Sequence, residues 1–199
     1  MITILKRSLF FFWLISISTS TFSASTSKTA VATFAMGCFW CAQSDFDKVK
    51  GVEKTVVGYT GGNLVNPTYK QVSNGGTGHY EAIQVYYNPA QVSYQTLLDY
   101  FWHNIDPTDP TGQFCDKGGQ YRAVIFYHNK EQKQLAETSK RRLIQSGKFK
   151  RIVTQILPAK TFYPAEIDHQ KYYQKNPIRY RFYRYNCSRD KRLETLWGI

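Results

Sequence analysis

The segment AVATFAMGCFWCAQSDFDKV, residues 30–49, changes its hydrophobic pattern halfway along. Residues 30–36 form an almost continuous run of small and apolar residues, which predicts a short buried strand, whereas the second half repeats apolar residues at helical spacing. Cys38 therefore falls near the N-terminus of a helix. Free N–H groups and the helix dipole favour a thiolate there, so we expect its pKa to lie below the free value of about 8.5. The alternative is a structural or disulfide-bonded cysteine.

Strand-like and helical segments follow without a strict β-α-β alternation. The predicted strands are residues 54–59, 79–87, 120–127 and 152–157, and the predicted helices are 93–102, 130–146, 166–174 and 193–197. This order favours an α+β two-layer sandwich, with helices packed on a mixed or antiparallel sheet. We expect a ferredoxin-like core, a long coil-rich C-terminal tail and a single domain over residues 25–199.

Residues 1–24 have the layout of a secretory signal peptide. Lys6 and Arg7 precede an apolar run at residues 9–17, and small polar residues follow. The run is roughly half of the about 20 apolar residues that a spanning helix needs, so we expect no stable membrane span after cleavage. An uncleaved anchor is the alternative. The predicted location is periplasmic or otherwise extracytoplasmic.

The 199-residue chain is basic, with a formal net charge of +12. Residues 179–185 alternate arginine with aromatic residues, a pattern that also binds single-stranded nucleic acid. Export removes that partner, so we expect no nucleic acid. A strand with one wet face, or contact with an anionic surface, explains the alternation better.

The chain has four cysteines, Cys38, Cys41, Cys115 and Cys187. Disulfides persist in exported proteins, and four cysteines allow three complete pairings that the sequence leaves open. Zinc is disfavoured because no second close pair of ligands accompanies Cys38 and Cys41. We therefore expect no metal.

Several polar residues lie at predicted strand ends beside glycine-rich loops, where sites commonly form. They are Cys38, Tyr69, Glu81, Asp116 and Tyr121. Together they would supply a nucleophile, a proton-transferring carboxyl group and two phenol donors, with Phe39 and Trp40 as an apolar wall. This set suits reduction of a small polar oxide attached to an apolar group.

A series of separate motifs lies along residues 31–178. They are Gly37-Cys38-Phe39-Trp40, Gly58-Tyr59-Thr60-Gly61-Gly62, Asn66-Pro67-Thr68-Tyr69, Gly78-His79-Tyr80-Glu81-Ala82, Phe101-Trp102 with Asp106-Pro107, Asp116 with Gly119-Gln120-Tyr121-Arg122, and Asp168-His169-Gln170-Lys171-Tyr172. In this order they resemble the methionine sulfoxide reductase A family. A series of separate motifs is more specific than any one of them.

The resemblance implies reduction of methionine S-sulfoxide, free or in proteins. Cys38 matches the nucleophile, and Glu81 matches the acid that protonates the departing oxygen, which requires burial to raise its pKa above about 4.3. The matches to the oxygen-binding phenols are Tyr69 and Tyr121. Further matches are Phe39 and Trp40 to the methyl pocket and Asp116 to an ordering carboxylate.

The resemblance further implies that Cys38 becomes a sulfenic acid and then a disulfide, which a thioredoxin-like dithiol reduces without another cofactor. Many relatives carry the resolving cysteine in a glycine-rich tail, whereas this tail is longer and more aromatic. Cys187 is the first candidate, Cys41 its rival because Cys-x-x-Cys is a redox spacing, and Cys115 the third.

Two other functions compete with this interpretation. An envelope thiol-disulfide oxidoreductase would use Cys38 and Cys41 directly, without needing Glu81 or the two tyrosines. A non-enzymatic module would bind an anionic surface through the basic aromatic tail. Salt-sensitive binding that survives Cys38→Ser would favour the module.

Overall fold

The strand and helix at the start of the chain are β1 (Ala30–Ala35) and α1 (Phe39–Phe46), as the pattern predicts. The computed structural model describes residues 28–198, so the predicted signal peptide lies outside the described residues. Gly37 makes the sharp turn between the two elements at φ +84°. A Cβ there would lie 2.7 Å from Gln113 Cβ, so both the backbone conformation and the space favour glycine.

The remaining elements follow in chain order. They are β2 (Val52–Thr60), α2 (Tyr69–Ser73), β3 (Tyr80–Tyr87), α3 (Tyr94–His103), β4 (Gly112–Gln113), β5 (Asp116–Lys117), β6 (Val124–Tyr127), α4 (Lys130–Gln145), β7 (Gln155–Pro158), β8 (Tyr163–Pro164), α5 (Tyr172–Lys175), α6 (Pro177–Asn186) and α7 (Arg189–Trp197).

A six-stranded sheet runs in the order β7-β6-β1-β3-β2-β8. The strand pairs are antiparallel except β6 with β7, which is parallel. The central order β6-β1-β3-β2 interleaves β3 between β1 and β2, the split β-α-β arrangement of a ferredoxin-like core. The predicted α+β class and mixed sheet are therefore confirmed.

Aromatic packing holds α1 and α3 on one face of the sheet. The Phe34 ring of β1 stacks on Phe46 at 5.3 Å and on Phe101 at 5.1 Å between centroids. All three side chains are fully buried, and each contributes roughly 1.5–3 kcal/mol through burial. This packing fixes the C-terminal end of α1, so its N-terminus at Cys38 has a defined position.

The C-terminal tail is helical, so the predicted coil-rich tail is wrong. Pro177 opens α6 in the first turn, where its missing N–H costs nothing. Tyr180, Tyr183 and Cys187 recur at intervals of three and four and face the protein, which turns the arginine-aromatic alternation into a helix face. The alternation at period two concealed the helical period.

Two short features position residues from the loop after α3. The two-residue strands β4 and β5 pair antiparallel, with Gln113 opposite Asp116. A 3-10 turn at Gly119–Tyr121 then carries Tyr121 to the edge of β6. Among residues 28–198, no helix has the length and apolar content needed to cross a membrane.

Candidate active site

Cys38 caps the N-terminus of α1, as predicted, and Glu81 lies beneath the same helix start. Glu81 extends from β3, where it pairs with Tyr59 of β2. Its Oε2 accepts a hydrogen bond from the Phe39 backbone N–H at 3.0 Å. The sheet and the first turn of α1 therefore bring the predicted nucleophile and the predicted acid together.

The Glu81 carboxyl group is largely protonated at neutral pH. The side chain is 2% exposed, and burial raises its pKa to about 8, helped by the charge of Asp116 and opposed by the Phe39 hydrogen bond. A carboxyl group with this pKa is about nine-tenths protonated at pH 7. The acid role that the resemblance implies for Glu81 requires burial of this side chain, and the side chain is buried.

Cys38 and Cys41 form a buried pair of free thiols. Burial raises the pKa of Cys38, and its hydrogen bond to Cys41 and the charges of Glu81 and Asp116 raise it further. The same hydrogen bond lowers the pKa of Cys41, with help from Arg189 and Arg184. The predicted low pKa of Cys38 is therefore wrong, because burial outweighs the helix terminus.

Tyr69 and Tyr121 approach the same site from different elements. Tyr69 begins α2, where the capping box of Thr68 fixes the helix start. Burial raises the pKa of each phenol, and the charges of Glu81, Cys38 and Asp116 reach both. Both phenols therefore keep their protons at neutral pH and can donate hydrogen bonds to an oxygen beside Glu81.

An aromatic wall surrounds the helix start. The Phe39 ring lies 6.3 Å from Tyr69 and 5.5 Å from His169, and Trp40 stacks on Tyr172 at 3.8 Å. Trp40 Nε1 donates to His169 Nδ1 at 3.1 Å, which fixes the indole. These rings form the apolar surface predicted for Phe39 and Trp40.

Asp116 connects the site to the tail. Tyr183 of α6 donates its phenol O–H to Asp116 Oδ2 at 2.5 Å, and its ring lies edge-on to Trp40 at 5.9 Å. Burial raises the pKa of Asp116, against the Tyr183 hydrogen bond. Asp116 therefore orders a tail side chain beside the pocket.

Cys187 and Cys115 form a disulfide across 72 residues. Cys187, the first candidate for the resolving role, is therefore not a free thiol in this structure. The other two cysteines are free and in contact with one another. This arrangement favours the rival, Cys41.

Sequence reasoning missed two residues that build the site. Glu166 accepts from the Tyr69 backbone N–H and from the Tyr59 hydroxyl, both at 2.8 Å, so it anchors the start of α2. Tyr183 reaches the pocket from the tail. No local pattern marks Glu166. Predicting a helix over residues 177–187 would have placed Tyr183 on the face that packs against the protein.

The site brings together two free thiols, a protonated carboxyl group and two phenols, a set that suits a cysteine-based reductase. Thiol-disulfide exchange needs neither a proton-donating carboxyl group nor phenols, so this set favours reduction of a polar oxide.

Comparison with known proteins gives the family. The family model for peptide methionine sulfoxide reductase matches residues 30–198. Peptide methionine sulfoxide reductase MsrA of Bacillus subtilis is 53% identical over 172 residues, which is 86% of this chain and 97% of that protein. The chain therefore belongs to the peptide methionine sulfoxide reductase A family.

Solved structures agree with this assignment. Reduced Mxr1 from Saccharomyces cerevisiae is 34% identical, with a TM-score of 0.70 over 77% of this chain and 88% of that chain. Mxr1 from the same organism in complex with Trx2 is 25% identical, with a TM-score of 0.50 over 76% of this chain and 90% of that chain. The first resemblance covers most of both chains.

Proposed function

We propose that the chain reduces methionine S-sulfoxide, free or in proteins, with Cys38 as nucleophile and Glu81 as general acid. Thiol-dependent reduction of methionine sulfoxide is the activity of the family to which the chain belongs. The observation that carries the residue roles is the buried Glu81 carboxyl group, with a pKa of about 8, under the helix start that holds Cys38.

Each group has a defined task in the first step. Cys38 sulfur attacks the sulfoxide sulfur, and Glu81 gives its proton to the oxygen as that bond weakens. Tyr69 and Tyr121 donate hydrogen bonds to the same oxygen, where negative charge develops. The Cys38 thiol gives its own proton to Glu81, and the oxygen passes to the Cys38 sulfur as the new sulfur-sulfur bond breaks and leaves its electron pair on the methionine sulfur. Methionine leaves, and Cys38 carries the hydroxyl as a sulfenic acid.

Phe39 and Trp40 hold the methyl group in this step. A methyl group against these rings leaves water, while the polar oxygen points to Glu81 and the two phenols. Opposite chirality at sulfur would exchange the places of the oxygen and another substituent. The site should therefore select one epimer at sulfur, and the family resemblance implies that this is the S epimer.

Cys41 then resolves the sulfenic acid. The two thiols are in hydrogen-bond contact, whereas Cys187 is occupied by Cys115. The resulting Cys38–Cys41 disulfide is reduced by a thioredoxin-like dithiol through exchange. The similarity to Mxr1, which was solved with Trx2, supports this partner.

A single-turnover experiment tests these roles. Reduced protein, with the Cys115–Cys187 disulfide intact, is mixed with one epimer of a methionine sulfoxide peptide and no reductant. We expect one methionine per chain from the S epimer, none from the R epimer, and loss of two thiols mapped to Cys38 and Cys41.

The variants separate the two thiols. Cys38→Ser should abolish methionine release, whereas Cys41→Ser should release one methionine and accumulate the sulfenic acid, trapped with dimedone. Normal disulfide formation in Cys41→Ser would contradict its resolving role, and peptide mapping would then identify the cysteine bonded to Cys38. Equal reaction of both epimers would contradict the pocket assignment.

We also propose that residues 1–24 are a signal peptide and that the protein works outside the cytoplasm. The charged start and short apolar run support export, and the Cys115–Cys187 disulfide suits an oxidising compartment. N-terminal sequencing of the protein from its native host should begin near residue 25. A mature protein that begins at Met1 in the cytoplasmic fraction would contradict this.

A further inference from the structure

Arg189 is a buried arginine that the steps above do not use. Its side chain extends from α7 to the turn before Cys38 and is 2% exposed. Nη1 donates to the Met36 carbonyl oxygen at 3.3 Å, and Nη2 donates to the Asn104 carbonyl oxygen at 2.8 Å. The guanidinium lies 4.4 Å from the centre of the Phe114 ring. The tail thus places a fixed positive charge beside the start of α1.

This charge is incompletely paired. Asp45 Oδ2 approaches Arg189 Nη2 only to 3.7 Å, because Asp45 Oδ1 makes its close bond, at 2.8 Å, with Arg184 Nη1. Arg184 has a second partner in Asp190, which is on the surface. Within residues 28–198, Arg189 Nε and Asp45 Oδ2 have no hydrogen-bond partner. Neutral carbonyl oxygens make the short bonds to Arg189, so its buried charge favours a further anion nearby.

Cys41 is the group in position to become that anion. It precedes Asp45 by four residues on α1, so the two side chains share a helix face. The titratable and charged groups around Cys41 are Cys38, Asp45, Glu81, Tyr172, Tyr173, Tyr180, Tyr183, Arg184 and Arg189. Two of them are cations, and both come from the tail. After the Cys38 hydrogen bond, they are what lowers the Cys41 pKa against burial.

We propose that Arg189 and Arg184 are positioning residues that favour the thiolate of Cys41 as it attacks the Cys38 sulfenic acid. This inference rests on the resolving role proposed above for Cys41. The Cys41–Cys38 sulfur-sulfur bond replaces the sulfur-oxygen bond, and the hydroxyl leaves as water with the proton that the Cys41 thiol gives up. Cys41 is oxidised and the Cys38 sulfenic acid is reduced, so no other oxidant takes part.

The first test titrates Cys41 directly. In Cys38→Ser, the serine keeps a hydroxyl donor, and Cys41 is the remaining free thiol while Cys115 and Cys187 stay bonded. Thiolate absorbance at 240 nm, taken as the difference from Cys38→Ser with Cys41→Ser so that the tyrosines cancel, then reports Cys41. We expect the midpoint to rise when Arg189→Gln or Arg184→Gln is added. Arg189→Lys, which keeps a charge, should restore part of the shift.

The second test measures both chemical steps in protein with Cys38 intact. For each pH unit by which the midpoint rises, the thiolate fraction at pH 7 falls about tenfold. The more basic thiolate is about threefold more nucleophilic, with a Brønsted slope near 0.5. Disulfide formation should therefore slow about threefold per unit at pH 7 and recover at high pH, while methionine release keeps its rate.

Arg192→Gln is the matched control, since Arg192 is also on α7 but pairs with Asp106. It should change neither the midpoint nor either rate. An unchanged midpoint in both Arg189→Gln and Arg184→Gln would overturn the proposal, as would equal slowing of both steps with loss of near-ultraviolet circular dichroism. Absence of methionine release from the unmodified protein would instead contradict the proposed function itself.

Discussion

Replacing Glu81 by glutamine separates the roles of burial, charge and proton donation at the site. Glutamine keeps the shape and an oxygen that accepts from the Phe39 N–H, but it has no proton to give. General acids contribute about 10²–10⁴-fold to rates, so methionine release should fall by that amount at pH 7. Release by the unmodified protein should decline above about pH 8 as Glu81 ionises, whereas the variant should lack this limb.

Although Glu81→Gln should slow methionine release, it should make the folded protein more stable at neutral pH. Folding raises the Glu81 pKa from 4.5 to about 8, so the unfolded chain loses this proton first as pH rises. The unmodified protein therefore loses stability as pH rises between these values, and at pH 7 the loss amounts to about 3 kcal/mol. Glutamine does not ionise, so the variant avoids this loss.

Urea unfolding of both proteins at pH 4 and pH 7 measures the effect. The free energy of unfolding of Glu81→Gln, relative to the unmodified protein, should rise by about 3 kcal/mol between these pH values. Comparison across pH cancels any fixed packing difference between the two side chains. A relative stability independent of pH, or a release rate that glutamine leaves unchanged, would refute the assignment of Glu81 as a buried neutral acid.

The other predictions concern the phenols, the tail and Asp116. Tyr69→Phe or Tyr121→Phe each removes one donor to the developing negative charge, so single-turnover methionine release should slow by up to about 10²-fold; a rate within twofold of normal for both would exclude them. Cys115→Ser with Cys187→Ser removes the disulfide that closes a loop of 72 residues and ties the tail to the rest of the protein. The free energy of unfolding in urea should fall by about 2–4 kcal/mol. An unchanged unfolding midpoint would show that the disulfide does not stabilise the fold. Asp116→Asn removes a charge that raises the Glu81 pKa. The alkaline decline in the rate of methionine release should therefore move to lower pH. A decline at the same pH as in the unmodified protein would show that burial alone sets this pKa.

Much of the fold follows from hydrophobic periodicity. The predicted strand before Cys38 and the helix after it are β1 and α1, and the later strands correspond to β2, β3, β6 and β7 with shifted ends. The prediction for the tail failed for a physical reason. Arginine and aromatic residues alternate at period two over residues 179–185, whereas the helix buries every third or fourth residue. Packing of the tail against α1 stabilises the helical conformation.

The site residues could be proposed from sequence because each lies where a regular element meets a glycine-rich loop. Their chemical state could not be predicted. The predicted low pKa of Cys38 rested on the helix terminus, which is a local effect. Burial and the carboxyl groups of β3 and β5 raise this pKa instead. Long-range burial sets the protonation of Glu81 in the same way.

By itself, the sequence determined the main strands and helices up to residue 158, the place of Cys38 at a helix start and the set of groups available to reduce a sulfoxide. Tertiary structure alone decided which thiols are free, which cysteines are bonded and which charges face Cys41. The reason is that secondary structure responds to neighbours along the chain, whereas pKa values and disulfides depend on burial and distance in space. Arg189 meets the turn at Met36 from 153 residues away, a contact that no local pattern encodes.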